Sequence, residues 1–286
     1  MITHIRIISP SGHLDPSLID IAAARLRAWG YKVSEGAHAR DEWGRFAGTD
    51  DHRLADIINA LNDTSVDLIL CARGGYGLQR IIDRIPPITK PILGFSDITA
   101  LHQLSALSSQ PSVHGIMCKH IATLPEDSEP IVALRRILRG EPVEYTLPSH
   151  PLNRIGTVSA PIVGGNLSVL YGLQATPYGL QTTPSPILLI EDICERHYHI
   201  DRMIRNLRLS GVLANISGLI VGQFTDCDDD PSMPGSVYQT INEAVADYNY
   251  PVLFNAPVGH VERNLPLWLN TPATLSVTPN GASLRF

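Results

Sequence analysis

The sequence contains few cysteines, and their positions form no metal-binding or disulfide pattern. The four cysteines are widely scattered and include no CxxC pair: Cys71, Cys118, Cys194 and Cys227. This arrangement argues against a zinc–thiolate site and offers no disulfide framework. We therefore expect the protein to work in a reducing compartment.

The sequence also lacks long apolar runs and an excess of basic charge. No apolar run approaches the roughly 20 residues of a membrane span. The N-terminal "MITHIRIISPSGHLDP" lacks a basic region followed by a long apolar one, so no signal peptide is predicted. Lysine and arginine number 22 against 28 aspartates and glutamates, which gives a formal net charge of −6. Nucleic acids and anionic membranes both need a basic surface, so we expect neither as a partner. Because no signal peptide and no membrane span are predicted, we expect a cytoplasmic protein.

The first half of the chain alternates between apolar strand-like runs and helical patterns. "IRII", "VDLILCA" and "PILGF" are typical of buried strands, while "RLADIINALND", "LQRIIDRI" and "ITALHQLSAL" have helical patterns. Asp15 and Pro16 predict the start of the first helix, and Gly30 predicts its end. This alternation indicates βαβ units and a parallel sheet. In such sheets, functional residues collect in the loops beyond the carboxyl ends of the strands.

The chain is long enough, at 286 residues with 44% apolar content, for two domains. We predict an N-terminal α/β domain at 1–142, a linker rich in proline and polar residues at 143–158, and a β-rich domain at 159–286. In the last domain, four segments are interpreted as strands: "GTVSAPIVGGNLSVL", "SPILLIED", "SGLIVGQF" and "ATLSVTPNGASLRF". The final segment predicts a hairpin around Asn280–Gly281. One prominent helix is predicted here, around residues 200–207.

Ser96 lies in "GFSDITALH", at a predicted turn from strand to helix. A serine on such a turn projects its hydroxyl clear of the sheet, and the backbone amides that follow can stabilise an oxyanion. The hydrolase signature GxSxG is absent, because Ile98 stands where the second glycine would be. A simpler interpretation is that Ser96 or Asp97 caps the following helix, and both interpretations stay open at this point.

The glycine-rich "ARGGYG", residues 72–77, follows a predicted strand. It matches neither GxGxxG nor GxxxxGK[ST], so a phosphate-binding loop is poorly supported. Its adjacent glycines would allow close backbone approach to a ligand, or would simply form a tight turn.

A nucleophilic serine needs a base, and the base usually needs an orienting carboxylate. His102 follows Ser96 by six residues and should face elsewhere on the helix, and the pattern alone does not choose between His114 and His260. Glu191 ends the apolar run "PILLI", where it could project from a strand end, cap the next helix or pair with Arg202.

A metal site near Glu191 is disfavoured by the spacing of the neighbouring histidines. His197 and His199 follow several acidic residues. Their spacing of two places them on different faces of a helix, unlike the HExxH motif.

Six segments occur in the order found in the LD-carboxypeptidase family of serine peptidases: "RFAGTDDHRLADI", "ARGGYGLQRII", "GFSDITALH", "VGGNLSVL", "LLIEDICERHYHIDRMI" and "VGHVERNLPL". The chain resembles this family over nearly its whole length, from "ISPSG" to the last strand. The family includes muramoyltetrapeptide carboxypeptidases and microcin C self-immunity peptidases. The length of the chain, without a large insertion, is more similar to the first of these branches.

The resemblance implies a Rossmann-like or flavodoxin-like N-terminal domain, a β-rich, barrel-like C-terminal domain, a homodimer, and an active site between the domains. It implies that Ser96 is the nucleophile, His260 the general base and Glu191 the carboxylate that orients the base. The backbone N–H groups of Asp97 and Gly75 would form the oxyanion hole, with Gly74 as the alternative to Gly75.

The implied reaction releases D-alanine from a murein tetrapeptide, in murein recycling, with no metal and no cofactor. An exopeptidase must also bind the substrate's terminal carboxylate, for which arginine is well suited, and Arg73 and Arg202 are candidates. Trp268 and Asn270 stand near a proline and a glycine that the family often has after the histidine motif. Asparagine can adopt the left-handed conformation of such a glycine, while Trp268 is expected to affect which peptide is accepted.

Two other functions remain to be separated from this one. The first is cleavage of a peptidyl-nucleotide antibiotic of the microcin C type by the same chemistry. The second is non-catalytic binding of a peptide or sugar, although a binding protein has no need for the combination of Ser96, Glu191 and His260.

Overall fold

The computed structural model describes residues 2–286 and divides into two compact units. One unit comprises the chain up to residue 141 together with residues 262–268, and the other comprises residues 142–261 and 269–286. The chain therefore passes from one unit to the other three times. The return of residues 262–268 has no counterpart in the boundaries predicted from the sequence.

The secondary structure consists of thirteen strands and eight α-helices within residues 2–286. The strands are β1 (His4–Ile8), β2 (Lys32–Glu35), β3 (Leu68–Cys71), β4 (Ile92–Gly94), β5 (Ser112–His114), β6 (Glu144–Pro148), β7 (Gly156–Asn166), β8 (Ile187–Ile193), β9 (Gly218–Thr225), β10 (Val252–Leu253), β11 (Leu267–Leu269), β12 (Pro272–Thr278) and β13 (Gly281–Arg285). The helices are α1 (Pro16–Ala28), α2 (Asp50–Asn62), α3 (Thr99–Leu107), α4 (Cys118–Thr123), α5 (Glu129–Leu138), α6 (Leu167–Leu173), α7 (His197–Leu209) and α8 (Val237–Ala244). Across these residues, no helix is both long and apolar enough to cross a membrane.

The first sheet has six strands in the order β11-β5-β4-β3-β1-β2. Its pairings from β5 through β2 are parallel, which confirms the predicted α/β fold class. The predicted start of α1 is also confirmed, because the Asp15 side chain accepts a hydrogen bond from the Ser17 N–H and Pro16 is the first helical residue. Gly30, just beyond the helix, has a φ of 99°, a conformation that glycine adopts without strain.

The segment "LQRIIDRI" does not form the α-helix that its pattern predicted. It forms two short 3₁₀ turns, Leu78–Arg80 and Ile82–Arg84. The turns have no side-chain caps, and Pro86 and Pro87 follow at once. Since proline cannot continue a helix and also restricts the residue before it, the two prolines prevent the segment from extending as an α-helix.

The second sheet has seven strands in the order β10-β9-β8-β7-β12-β13-β6. The half from β10 to β7 is parallel, and the half from β7 to β6 is antiparallel. The predicted hairpin around Asn280–Gly281 is confirmed, because β12 and β13 pair with Thr278 opposite Gly281. Helices α6, α7 and α8 pack their apolar residues with those of the parallel half to form one core.

Three segments of the second unit differ from their predictions. The predicted linker 143–158 contains β6 and the start of β7, and the alternating burial of β6 shows why a polar-rich segment can pair in a sheet. "NLSVL" forms helix α6 instead of extending the strand, because the Asn166 side chain caps it by accepting from the Val169 N–H. A second substantial helix, α8, begins with a capping box between Ser236 and Gln239.

Candidate active site

Three loops meet at the carboxyl ends of β1, β3 and β4, which are neighbours in the first sheet. The Gly12 N–H, after β1, donates a hydrogen bond to the Gly74 carbonyl, after β3, at 3.0 Å. A Cβ atom on Gly12 would lie only 2.9 Å from that carbonyl oxygen. The glycines therefore allow the two backbones to approach each other, next to the turn that follows β4.

Ser96 occupies that turn in a left-handed conformation, with a φ of 68°. This conformation is strained for residues other than glycine, asparagine and aspartate. Residues 96–98 form a 3₁₀ turn that leads into α3, and neither the turn nor the helix begins with a side-chain cap. The capping interpretation of Ser96 and Asp97 is therefore not supported by the structure.

Gly74 lies directly against Ser96. A Cβ atom on Gly74 would lie 2.7 Å from the Ser96 Cβ and 3.0 Å from its Oγ. Real side chains do not tolerate contacts this close, so position 74 requires glycine while Ser96 keeps this conformation. Gly75 has a φ of 115°, also in the region that favours glycine. The "RGGYG" loop thus brings its backbone to the Ser96 side chain.

The side chain of Asp97 connects the turn to two neighbouring loops. Its buried carboxylate accepts hydrogen bonds from the Ser11 hydroxyl at 2.6 Å and from the Leu78 N–H at 3.0 Å. Burial raises the pKa of Asp97, against the opposing effect of these two bonds and of the Arg53 charge. The sequence predicted for Asp97 either a backbone N–H in the oxyanion hole or a helix cap. The structure adds a carboxylate that ties together the loops after β1, β3 and β4.

Glu191 and His260 form a hydrogen-bonded pair in the second unit. The Glu191 Oε2 lies 2.8 Å from the His260 Nδ1, and the Glu191 side chain is fully buried. A carboxylate at Nδ1 favours the ring tautomer with a proton on Nδ1, in which Nε2 is the basic nitrogen. Burial works against protonation of His260, but the hydrogen bond and charge of Glu191, together with the charge of Asp192, outweigh it and raise the pKa of His260.

Two glycines make room for the Glu191 side chain. A Cβ atom on Gly259 would lie 2.7 Å from the Glu191 Oε2, and one on Gly222 would lie 3.0 Å from the Glu191 Cβ. Gly259, which precedes the histidine, also has a φ of 121°. The glycine in "VGH" is therefore required both by space and by backbone conformation, a signal that the sequence already contained.

Asp192 is a buried carboxylic acid beside this pair that the sequence analysis did not select. It accepts hydrogen bonds from the Asn166 side-chain amide and from the Ser168 N–H, both at 2.8 Å. Burial and the neighbouring charge of Glu191 raise its pKa to about 7. Asn166, from the "GGN" segment, thus both caps α6 and positions this acid.

The other predicted residues are dispersed over the two units. Arg73 is exposed and donates to the His13 carbonyl at 2.8 Å. Arg202 lies on α7 with its guanidinium over the Tyr198 ring, so its suggested pairing with Glu191 is not observed. Trp268 lies in β11 and is partly buried. Asn270 has a φ of 61°, which confirms that it adopts the left-handed conformation expected of a glycine there.

The remaining histidine candidates have structural partners. The His102 Nε2 lies 2.9 Å from the Gly94 carbonyl oxygen, and burial lowers the pKa of His102 to about 3. His197 contacts the Thr240 hydroxyl, whereas His199 contacts the Glu195 carboxylate. His197 and His199 thus contact different side chains.

Comparison with known proteins agrees with this organisation. Residues 5–115 match the model of the LD-carboxypeptidase N-terminal domain, and residues 159–275 match that of the LD-carboxypeptidase C-terminal domain. A probable murein peptide carboxypeptidase of Bacillus subtilis is 30% identical, over 98% of this chain and 91% of that protein. The murein tetrapeptide carboxypeptidase of Pseudomonas aeruginosa is 26% identical, over 91% of this chain and 89% of that protein.

Solved structures show the same fold. The crystal structure of muramoyltetrapeptide carboxypeptidase from Oxalobacter formigenes superposes with a TM-score of 0.88 at 25% identity, covering 99% of this chain and 98% of that one. The wild-type microcin C7 self-immunity protein superposes with a TM-score of 0.85 at 19% identity, covering 99% and 96%. With both halves of the chain matched by the family's own models, the protein belongs to the LD-carboxypeptidase family.

Proposed function

We propose that the protein is a serine carboxypeptidase that hydrolyses the bond between the L-diamino acid and the terminal D-alanine of murein tetrapeptides. The observation that carries the proposal is the hydrogen bond between the buried Glu191 and the His260 Nδ1. It is the arrangement that makes a histidine a general base. The strained Ser96 turn and the names of the relatives from Bacillus and Pseudomonas support the same activity.

In the proposed mechanism, the His260 Nε2 removes the proton from the Ser96 hydroxyl as its oxygen attacks the LD-peptide carbonyl. Ser96 and His260 must therefore meet in the working enzyme. The backbone N–H groups of Asp97 and Gly75, or Gly74 in place of Gly75, hold the oxyanion. His260 then protonates the departing D-alanine, and water activated by the same histidine hydrolyses the acyl-enzyme. Glu191 stabilises the charged imidazole in both steps, and no metal takes part.

Recognition of the substrate's terminal carboxylate is assigned to an arginine. Arg73 is the stronger candidate by location, because it begins the "RGGYG" loop that contacts Ser96 and its side chain is exposed. Arg202 and Trp268 are retained as candidates for contacts with the rest of the peptide. Replacement of the residue that binds the carboxylate should raise KM for the tetrapeptide more than it lowers kcat.

The decisive experiment measures D-alanine release from purified L-Ala-γ-D-Glu-meso-diaminopimelyl-D-Ala in the presence of EDTA. We expect release by the wild-type protein and none by Ser96→Ala, with both proteins equally folded by circular dichroism. Full activity in Ser96→Ala would rule out the proposed nucleophile. Loss of wild-type activity in EDTA would rule out metal-independent chemistry.

Cleavage of a peptidyl-nucleotide is the second candidate function, favoured by the structural match to the microcin C7 self-immunity protein. The same active-site chemistry would serve both substrates. Turnover of the murein tetrapeptide and of an aminoacyl-sulfamoyl adenosine by the same preparation separates them. A folded wild-type protein that processes neither substrate would leave non-catalytic peptide binding as the function.

The family resemblance also supports a cytoplasmic homodimer that acts in murein recycling. Light scattering at several protein concentrations tests the dimer, for which we expect twice the mass of one chain. A single-chain mass throughout would contradict it.

A further inference from the structure

His38, Asp41 and His52 form a cluster in the first unit that the proposed reaction does not use. The Asp41 Oδ2 lies 2.9 Å from the Nδ1 atoms of both histidines. The two imidazole rings stack with centroids 3.9 Å apart and planes 15° from parallel. Of all His, Cys, Asp and Glu side chains in residues 2–286, this trio alone brings at least three ligand atoms within 4.8 Å of one another.

The cluster is held together by contacts that do not involve its own ligand atoms. The His38 backbone N–H donates to the Asp56 carboxylate at 3.0 Å. Asp56 lies one helical turn after His52 on α2, so the same helix supplies one histidine and anchors the loop that carries the other. Gly48 has a φ of 85°, and a Cβ atom there would lie 3.2 Å from the Cβ atoms of both Asp41 and His52, so glycine leaves room for both. The three side chains are therefore pre-positioned by the fold.

The two histidine–aspartate separations match those between ligands of one metal ion. Two ligand atoms 2.9 Å apart, each bound at about 2.1 Å, subtend roughly 90° at the ion, as in five- or six-coordinate geometry. A tetrahedral ion requires separations of about 3.4 Å, so each histidine–aspartate pair would need to open by only about 0.5 Å. Two imidazoles and one carboxylate are a donor set suited to Zn²⁺, Ni²⁺ or Co²⁺.

Space for further ligands lies beside the cluster. A cavity of about 310 Å³ is lined by Asp41 and also by His13, Asp15, Arg40 and Glu42. Water in this cavity can approach Asp41 to complete the coordination shell, and Glu42, which also lines the cavity, is exposed. The histidines themselves are only partly buried, so an ion from solvent can reach them.

We propose that His38, Asp41 and His52 bind a divalent transition-metal ion of the zinc, nickel or cobalt type. Each neutral ring binds the ion through the lone pair of its Nδ1 and carries its single proton on Nε2, while the Asp41 carboxylate supplies the third ligand atom. The ion crosslinks the loop after β2 to the first turn of α2. It takes no part in peptide hydrolysis, so the site is independent of the proposed function.

The test uses the untagged, full-length protein after removal of metal with EDTA and dialysis. Zn²⁺ is titrated by calorimetry, and Co²⁺ is titrated by visible absorption to report the coordination number. His38→Phe keeps a ring to stack on His52 but removes a ligand nitrogen, and Asp41→Asn keeps the shape of the side chain but removes its charge. The matched control is His199→Phe, because His199 also pairs with a carboxylate, that of Glu195 at 3.1 Å.

We expect the wild type and His199→Phe to bind one equivalent of Zn²⁺ with equal affinity. His38→Phe and Asp41→Asn should each weaken binding by at least about 10-fold, the lower end of what loss of even an outer-shell contact does. Zn²⁺ should raise the unfolding temperature of the wild type and of His199→Phe only. Absence of Zn²⁺ binding to the wild type, unchanged affinity in both cluster variants, or loss of binding in the control would each overturn the proposal. D-alanine release measured with the same preparations reports on the proposed function separately.

Discussion

At the scale of single residues, the conformation of Ser96 is the feature most closely tied to the proposed chemistry. A residue with a φ of 68° is held in place by its surroundings, here by Gly74 on one side and by the buried Asp97 carboxylate on the other. Strain of this kind is common where a side chain must be presented for reaction.

That strain predicts a difference between two inactive variants. Ser96→Gly removes the steric cost of the left-handed conformation, whereas Ser96→Ala keeps it, so Ser96→Gly should have the larger free energy of unfolding by about 1 kcal/mol. Urea denaturation of both variants measures this difference. Greater stability of Ser96→Ala would show that the turn is not strained.

The Glu191–His260 pair predicts the effect of removing one negative charge. Glu191→Gln keeps the size of the side chain but no longer stabilises a charged imidazole, so kcat should fall on the order of 10³- to 10⁴-fold. The control is Glu195→Gln, which alters the other glutamate–histidine pair of the same unit and should leave kcat unchanged. Equal losses in the two variants, measured by D-alanine release, would contradict the proposed role of Glu191.

The same pair predicts the pH dependence of the reaction. His260 must be neutral to act as a base, and Glu191 raises its pKa above the ordinary value of 6.5. The value of kcat/KM should therefore rise with pH through an apparent pKa above 6.5. In Glu191→Gln, burial still lowers the pKa of His260, but the charge that raises it is lost. The acidic limb of the pH profile should therefore move to lower pH. A limb that does not move would mean that it belongs to another group.

At the scale of structural elements, the loop after β3 leaves no room for added volume next to Ser96. In Gly74→Ala, the new methyl group must displace the Ser96 side chain or the backbone of Phe95, whose carbonyl oxygen would lie 2.9 Å from it. We expect activity to fall at least about 100-fold, since small displacements at a reacting centre have large effects on rate.

The matched control for Gly74→Ala is Gly140→Ala. Gly140 has a φ of 69° and no atom within 4 Å of an added Cβ. It should therefore lose some stability but no activity, as measured by thermal unfolding and D-alanine release. Full activity in Gly74→Ala would exclude close backbone approach to Ser96.

Local sequence signals were sufficient to predict those elements whose ends are marked by capping or turn residues. Asp15, Pro16 and Gly30 marked the two ends of α1, and Asn280–Gly281 marked the hairpin of β12 and β13. The loops after β3 and β4 could be selected because parallel strands align their carboxyl ends. The family resemblance was needed to select Glu191 and His260, since residues 69 positions apart in the chain have no periodic relation.

Other features depended on contacts between distant segments that no local pattern encodes. The polar pattern of β6 gives it little strand character alone, and it becomes a strand by pairing with β13. The burial of Asp192 results from its neighbours Asn166 and Ser168 on β7 and α6. The cluster of His38, Asp41 and His52 forms because Asp56 anchors a loop to α2, an arrangement that sequence spacing does not contain.

At the scale of the whole molecule, the buried Asp192 predicts how stability depends on pH. Its pKa is about 7 in the folded protein against an ordinary value of 3.8, so the folded state holds a proton that the unfolded state releases between these values. The contribution of Asp192 to the free energy of unfolding should therefore be fully present below about pH 4 and should be lost as pH rises to about 7. The contribution of this one residue is at most about 4 kcal/mol.

Urea denaturation at pH 5 and pH 8 tests this contribution by comparing the wild type with Asp192→Asn. The amide cannot titrate, so the variant should lose less stability than the wild type between the two pH values. His260 titrates in both proteins, and the Asp192 charge is the smallest of the effects on its pKa, so most of the contribution of His260 cancels in the comparison. Identical losses would show that Asp192 is not protonated in the folded state.

The return of residues 262–268 to the first unit limits how such a protein can be divided or recombined. Strand β11, next to β5 in the first sheet, is encoded after almost the whole second unit. If the chain were divided between residues 141 and 142, the first half would lack this edge strand. The second half would carry the strand without the sheet in which it pairs. His260 lies two residues before the point where the chain returns to the first unit. Exchanging one half of the chain between relatives would therefore transfer the proposed base together with a strand that belongs to the other half's sheet. Such a chain is expected to diversify by substitution within loops rather than by shuffling of its halves.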